Sequence, residues 1–414
     1  MQFLFVYVTL TTMRFLIISF TYDIFPLYFL CEQCYDVIEI KLHKIYIAEI
    51  LCGNWRSFNM ANWKKLAMFG ASALLLAACG NGGGTDEGTD NGSAPEDGGE
   101  EEQFSIAMVT DTGGVDDRSF NQSAWEGMQE WAEEHGFGDD SVVYYQSEAE
   151  NDYVPNLNTA TTDGHDVIYG IGFLLEDPIA TIAEQNPDRM YGIVDSVVEM
   201  DNVVSLNFND HENSFLAGMA AALTTETGRV GFIGGIEGPI IDRFQTGFTH
   251  GVEYVDDSIE VDIQYANSFG DTAAGQQIAA AMYSNGADVI FHAAGAVGNG
   301  VFQEARNRME DGSDTQLWVI GVDRDQTAEG EWEEGNLTLG STIKQVGQAI
   351  KLSANEAMEG NFQGGENISY GFAEDGIDFV MHEEMPQEYV DQIEEARQAI
   401  TDGEIEVREF TYSQ

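Results

Sequence analysis

Phe104-Ser105-Ile106-Ala107-Met108-Val109, then Thr110-Asp111-Thr112-Gly113-Gly114, then an amphipathic stretch from Ser119 to His135 closed by Gly136: this is the order of a strand, a tight loop and a helix. The apolar run is too short and too continuous for a surface helix, so it predicts a buried strand. In the amphipathic stretch, Phe120, Ala124, Met128 and Trp131 recur at helical spacing and place one apolar stripe against that strand. Gly136 supplies the stop.

The same unit repeats outward. Strand-like runs are predicted at Phe104–Val109, Val142–Tyr145, Asp166–Ile171, Met190–Val194, Val203–Phe208, Val230–Ile233, Val261–Tyr265, Asp288–Ala293 and Leu317–Val322, with helical stretches between them. One of these, Asp271 to Asn285, places Ala274, Ile278, Ala281 and Met282 on a stripe. Alternation of this kind predicts an α/β chain with parallel sheets. The pattern runs once to Phe208, passes a helix at Ser214–Thr225, and restarts at Arg229. It predicts two similar α/β lobes with a cleft between them: 104–212 as the N-terminal lobe, 213–345 as the C-terminal lobe, and 346–414 as a helix of the C-terminal lobe plus a crossover toward the first. Phe379–Met381 is the strand expected to cross.

Upstream, Lys64-Lys65 and the apolar run Leu66–Ala78 end in Leu76-Ala77-Ala78-Cys79-Gly80. Two positive charges, an apolar segment too short to span a bilayer and small residues before a cysteine describe a lipoprotein signal over 60–78. Cys79 would become a lipidated N-terminus, and the protein would sit on the extracytoplasmic face of the cell membrane. The stretch 79–103 is a tether: between Gly80 and Glu102 eight Gly and eight acidic residues leave too little apolar surface to offset the cost of ordering. Residues 1–59 read as an upstream extension preceding a start at Met60. A membrane segment over Phe15–Leu30 is the alternative there, interrupted by Asp23 and Pro26. Cys31 and Cys34 form a lone Cys-x-x-Cys without a second pair, and no cysteine occurs after Cys79.

The chain carries 72 acidic residues against 17 Lys and Arg, a formal charge of −55. Such a surface excludes nucleic acid as a partner and is best tolerated where salt screens it. After Cys79 only Lys344 and Lys351 remain as lysines, which makes each a candidate for a specific role.

In open parallel sheets ligands sit beyond the carboxyl ends of the strands. Those ends carry Asp111-Thr112-Gly113-Gly114, Gly172-Phe173, Asp195, Asn267-Ser268-Phe269-Gly270, Ala294-Gly295 and Asp323-Arg324-Asp325. Aromatic faces, carboxylates and glycines suit a flat, neutral, hydroxyl-bearing ligand.

The segment Asp111-Thr-Gly-Gly-Val-Asp-Asp-Arg-Ser-Phe-Asn-Gln-Ser-Ala-Trp-Glu-Gly127 resembles the opening signature of the basic membrane protein family of lipoproteins, which includes purine nucleoside receptors of ABC transporters. The likeness continues at His211–Gly218, Ala287–Gly300, Ile320–Asp323 and Ser341–Lys344, and covers the chain from Phe104 onward. The resemblance implies a type I periplasmic-binding-protein fold, two Rossmann-like lobes that close on a nucleoside. It implies that Phe120 and Phe269 sandwich the purine, that Asn121 and Asp195 bond its edge, and that Asp323, Lys344 and the Gly295 backbone hold the ribose, with Asp111 lining the same cleft. An ABC permease and ATPase would be the partners of a monomeric receptor that needs no cofactor or metal. Three other readings stay open: a binding protein of the same fold for a pentose or other small metabolite, a membrane-tethered sensor, and a nucleoside hydrolase. The last rests on Gly114-Val115-Asp116-Asp117, which is similar to a calcium-binding loop but has Thr110 and Thr112 where further carboxylates belong. No other catalytic motif stands out.

Overall fold

The computed structural model describes residues 103–410 together with the backbone of three short upstream segments, 3–10, 13–20 and 28–31. The signal stretch 60–78, Cys79 and nearly all of the tether lie outside the described residues. The upstream segments form an antiparallel meander of β1 (Phe3–Leu10), β2 (Met13–Phe20) and β3 (Tyr28–Cys31), with Phe3 opposite Phe20 and Phe15 opposite Cys31. The stretch Phe15–Leu30 has its described ends in β2 and β3, and its middle lies outside the described residues. Among the described residues no helix is long and apolar enough to cross a membrane.

The first lobe is built on β4 (Ile106–Val109), β5 (Val142–Tyr145), β6 (Val167–Ile171), β7 (Met190–Val194) and β8 (Val203–Phe208). The second is built on β9 (Arg229–Gly234), β10 (Glu260–Tyr265), β11 (Val289–Ala293) and β12 (Trp318–Asp323). Each strand predicted from sequence is present. Those with helices on both sides are buried throughout, as in β4, β6, β8 and β11, whereas the edge strands β5 and β10 are partly exposed.

The helices between them are α1 (Phe120–His135), α2 (Tyr153–Asp163), α3 (Glu176–Gln185), α4 (Asp210–Thr224), α5 (Pro239–Val255), α6 (Thr272–Ser284) and α7 (Val297–Glu310). Along α1, Ala124, Met128 and Trp131 are fully buried as the stripe requires, and Gly136 ends the helix in the left-handed region at φ 70°. On α6 the buried face is Gly275, Ala279, Met282 and Tyr283, rotated from the expected Ala274, Ile278, Ala281 and Met282. The cause is close packing: a Cβ at position 275 would lie 2.1 Å from the Val297 carbonyl oxygen, so the glycine itself must face α7.

After β12 come a short hairpin of β13 (Glu331–Trp332) and β14 (Gly335–Asn336), then β15 (Thr338–Lys344), α8 (Val346–Met358), β16 (Asn367–Tyr370), β17 (Ile377–Met381) and α9 (Gln387–Thr401). The first sheet has the order β16-β8-β7-β6-β4-β5, all parallel. The second has the order β10-β9-β11-β12-β15-β17, parallel except for the antiparallel β15–β17 pair.

The chain thus crosses between lobes after β8, after β15 and after β16. These crossings correct three expectations. The 212/213 boundary falls inside α4, whose Asn213 side chain donates to the Ile343 carbonyl (2.9 Å) and docks the helix on the second lobe. α8 belongs to the first lobe: its Gly347 lies against Gly127 of α1, Trp131 Nε1 donates to Asn355 Oδ1 (2.9 Å), and Lys351 pairs with Glu130 and Glu134. The strand that returns to the first sheet is Asn367–Tyr370. Ile377–Met381, which contains Phe379–Met381, pairs with β15 in the second.

Candidate functional site

A cavity of about 470 Å³, its open mouth included, lies between the lobes where the carboxyl ends of β4, β6, β7, β11, β12 and β15 converge. All eight residues singled out from the sequence border it: Asp111, Phe120, Asn121, Asp195, Phe269, Gly295, Asp323 and Lys344. Asp117, Phe173, Ile240, Ile241 and Phe244 border it as well and were not among the expected contacts.

On the first lobe, the turn after β4 is cross-braced. The Asp111 N–H donates to Asn121 Oδ1 (3.3 Å), Asn121 Nδ2 donates back to Asp111 Oδ1 (2.8 Å), and the Gly113 N–H reaches the same oxygen (2.8 Å). Burial pushes the Asp111 carboxyl up to about 7, against the lowering effect of the Asn121 and Gly113 hydrogen bonds. Asp117 is an anchor for the start of α1. Its Oδ1 accepts the N–H groups of Ser119 (2.8 Å) and Gln122 (3.1 Å), while its Oδ2 accepts the N–H of Asn121 (2.8 Å) and Asn121 Nδ2 (3.0 Å). Those four donors use the lone pairs that a cation would need, and among the described residues no cluster of three metal-ligating side chains occurs. The calcium-loop reading of Gly114–Asp117 therefore fails on geometry.

Asp195 after β7 and Asp323 at the end of β12 face each other from different lobes, and both have left-handed backbones, φ 64° and φ 66°. A non-glycine residue is held there at a conformational cost, and such positions cluster where a side chain must be aimed. Ser119 Oγ of the first lobe donates to Asp323 Oδ2 of the second. Burial raises Asp323 to about 6, with Lys344 and Ser119 pulling it down.

Lys344, the last residue of β15, is 2% exposed. Its Nζ lies 2.8 Å from Asp195 Oδ2 and 3.0 Å from Asp210 Oδ1, and it sits 5.3, 5.4 and 5.0 Å from the ring centres of Phe120, Phe208 and Phe244. Burial alone would lower this ammonium, but Asp195, Asp210 and Asp323 reverse the effect and hold it above the usual lysine range. Asp195 Oδ1 is buried without a partner.

The aromatic wall holds the expected Phe120 and Phe269 and adds Phe173. Phe269 packs against Gly235, where a Cβ would lie 2.2 Å from its Cε1, and Phe173 of the first lobe meets it edge-on at 6.1 Å and 81°. Gly172-Phe173 is legible as a strand end, yet nothing in the sequence distinguishes Phe173 as a wall residue from one in the core. Gly295 has φ 58° and runs beside the Phe269 carbonyl.

Further bridges join the two lobes. Asn299 Nδ2 donates to the Asp117 carbonyl (3.2 Å), Gln326 Nε2 to the Arg118 carbonyl (3.0 Å), and Arg324 pairs with Glu126 (2.7 Å).

Two lobes of mostly parallel sheet, three crossings and a cavity at the strand ends define the type I periplasmic-binding-protein fold. More narrowly, the chain belongs to the PnrA-like family of ABC transporter substrate-binding proteins, whose family model matches residues 104–411. The CD4+ T-cell-stimulating antigen of Listeria innocua is 45% identical over 363 residues, which cover 86% of this chain and 99% of that one. The ABC transporter nucleoside-binding protein BmpA of Lactococcus lactis subsp. cremoris is 43% identical over 310 residues, 73% of this chain and 88% of the relative. A solved ABC transporter solute-binding protein from Aeropyrum pernix matches with a TM-score of 0.66 at 25% identity, covering 75% of this chain and 94% of the other.

Proposed function

We propose that this protein captures purine nucleosides in the interlobe cavity and delivers them to an ABC permease and ATPase, as a monomer tethered through lipid on Cys79 to the outer face of the cell membrane. The observation that carries the ligand assignment is the polarity of the cavity. Among the described residues bordering it, Asp111, Asp195 and Asp323 supply three carboxylates and Lys344 the cation, with Phe120, Phe173 and Phe269 as the aromatic surfaces. Carboxylates in a desolvated pocket accept from hydroxyl and ring N–H groups and repel phosphate, so the chemistry favours a neutral nucleoside over a nucleotide. The aromatic surfaces give the base a face to stack on. The name of the Lactococcus relative supports the same ligand class. Lipid attachment rests on Leu76-Ala77-Ala78-Cys79 after an apolar run.

The test is mass spectrometry of small molecules released on denaturing residues 101–414 purified without added ligand. Inosine, guanosine or adenosine near one per chain supports the reading. A co-purified pentose, or failure of all purine nucleosides to bind in titration, refutes it. For the anchor, an intact-mass increase on Cys79 in the membrane fraction is expected, and a water-soluble, unmodified Cys79 would overturn it.

A further inference from the structure

Asp210 takes no part in lining the cavity, yet it is fully buried and ion-paired to Lys344. Its position in the chain gives this contact meaning. Asp210 is the first residue of α4, directly after the crossing from β8, and α4 is docked on the second lobe in two ways. Asn213 binds the Ile343 carbonyl next to Lys344, and glycine contacts bring α4 and α5 backbones together: a Cβ at Gly218 would lie 2.1 Å from the Phe248 oxygen, and one at Gly251 would lie 1.9 Å from the Phe215 oxygen. Asp210 and Lys344 therefore move as one body. Asp195, the other partner of the ammonium, belongs to the first lobe after β7 and approaches from across the cleft.

We propose that Asp210 is a positioning residue that sets the closure equilibrium: it is the permanent counter-ion of Lys344, while Asp195 is the exchangeable one recruited only when the lobes close. A buried ammonium without a partner is strongly unfavourable. Asp210 removes that penalty from the open form, so that closure does not have to supply the only neutralisation of Lys344. Were Asp210 absent, Asp195 would be the carboxylate left within ion-pairing distance, Asp323 of the lysine's own lobe acting on Lys344 only from farther off, and the ligand-free protein would be driven shut. The two carboxylates on one ammonium thus have opposite effects on closure, although both stabilise the same charge. Position at the start of α4 also favours the ionised Asp210, since the helix N-terminus presents positive partial charge. Burial pushes its carboxyl up to about 7 against the pull of Lys344, so the test is run at pH 8.

The experiment measures lobe separation in the ligand-free protein by fluorescence transfer between dyes placed on exposed Tyr144→Cys and Tyr254→Cys positions of the two lobes. Asp210→Asn is expected to raise the closed-to-open ratio at least about tenfold, and Asp195→Asn to lower it by a similar factor. In a Lys344→Gln background both shifts should vanish. Shifts of the same sign in the two variants, or a ligand-free Asp210→Asn protein as open as the parent, overturn the proposal. Should Asp210→Asn not fold, Asp195→Asn decides alone: an unchanged ligand-free lobe separation overturns it. The inference rests on the two-lobed binding reading and not on the ligand's identity, so failure to bind purine nucleosides would leave this ligand-free measurement standing.

Discussion

Ligand binding should release protons, and the structure fixes the sign. In the cavity Asp111 is raised to about 7 and Asp323 to about 6, burial being the leading cause for each. A nucleoside approaches these carboxylates with hydroxyl and N–H donors, which favour the ionised form and lower both values. Moving a carboxyl's titration midpoint by one pH unit is worth about 1.4 kcal/mol, so restoring Asp111 to its ordinary value of 3.8 corresponds to about 4 kcal/mol as an upper bound. Affinity should then rise about tenfold per pH unit between pH 5 and 6 for each carboxyl that is protonated in the free protein, and flatten above pH 7. Titration calorimetry in two buffers of different ionisation enthalpy gives both Kd and protons released. Stability of the ligand-free protein should run the other way. A carboxyl whose value is raised by folding contributes stability below pH 3.8, and that contribution is lost as pH rises through 6 and 7, so the ligand-free melting point should fall over that interval. Asp111→Asn, which keeps an acceptor for the Gly113 N–H, should reduce both slopes and separates this carboxyl from the titration of the acidic surface. A Kd that is flat from pH 5 to 8, or proton uptake on binding, would refute the reasoning, since uptake means the ligand presents acceptors to Asp111 and Asp323.

Phe269→Ala should weaken purine nucleoside binding at least about tenfold in equilibrium titration, the usual worth of one stacked base, and an unchanged Kd would remove Phe269 from the wall. Asp323→Ala should cost nucleoside affinity more than free-base affinity, and equal losses would contradict a contact with the ribose. Gly127→Ala puts a Cβ 2.2 Å from the Gly347 Cα, backbone against backbone, and should lower stability by about 1–3 kcal/mol through separation of α1 from α8. The urea midpoint should drop at constant slope, and a midpoint equal to the parent's would show that the helices part at no cost.

The elements legible in the sequence are those whose signal is local. β4, β6, β8 and β11 stand out as short apolar runs because both faces of a central parallel strand are buried. β15 gives no such run: Thr338-Leu-Gly-Ser-Thr-Ile-Lys344 is buried but small and polar, and its hydroxyls are satisfied by neighbours, as with Thr342 Oγ1 on the Gly321 carbonyl (3.4 Å). A strand stabilised that way resembles a loop in one dimension. Without β15 the lobes of α8, β16 and β17 cannot be assigned from sequence, because all three depend on the direction in which the chain leaves Lys344.

The site divides along the same line. Phe120, Asn121 and Asp323 emerge from contiguous motifs, and Asp195, Phe269 and Gly295 from the rule that strand ends face the ligand. Asp117 looks like a metal or surface residue until its oxygens are seen to be taken by Ser119, Asn121 and Gln122. Asp210 is the hardest to anticipate. An aspartate opening a helix is ordinary capping chemistry, and its partner Lys344 lies at the end of the strand that left no pattern. Yet the two meet for a topological reason. The first crossing, outward to the second lobe, delivers Asp210, and the second, running back to the first, departs from Lys344, and the two side chains meet at 3.0 Å. The charge pair is therefore a consequence of building two lobes from interleaved segments. It sits where a small rotation of one lobe changes which carboxylates surround the ammonium, so a ligand that shifts this balance by a few kcal/mol shifts the population of the closed form with it.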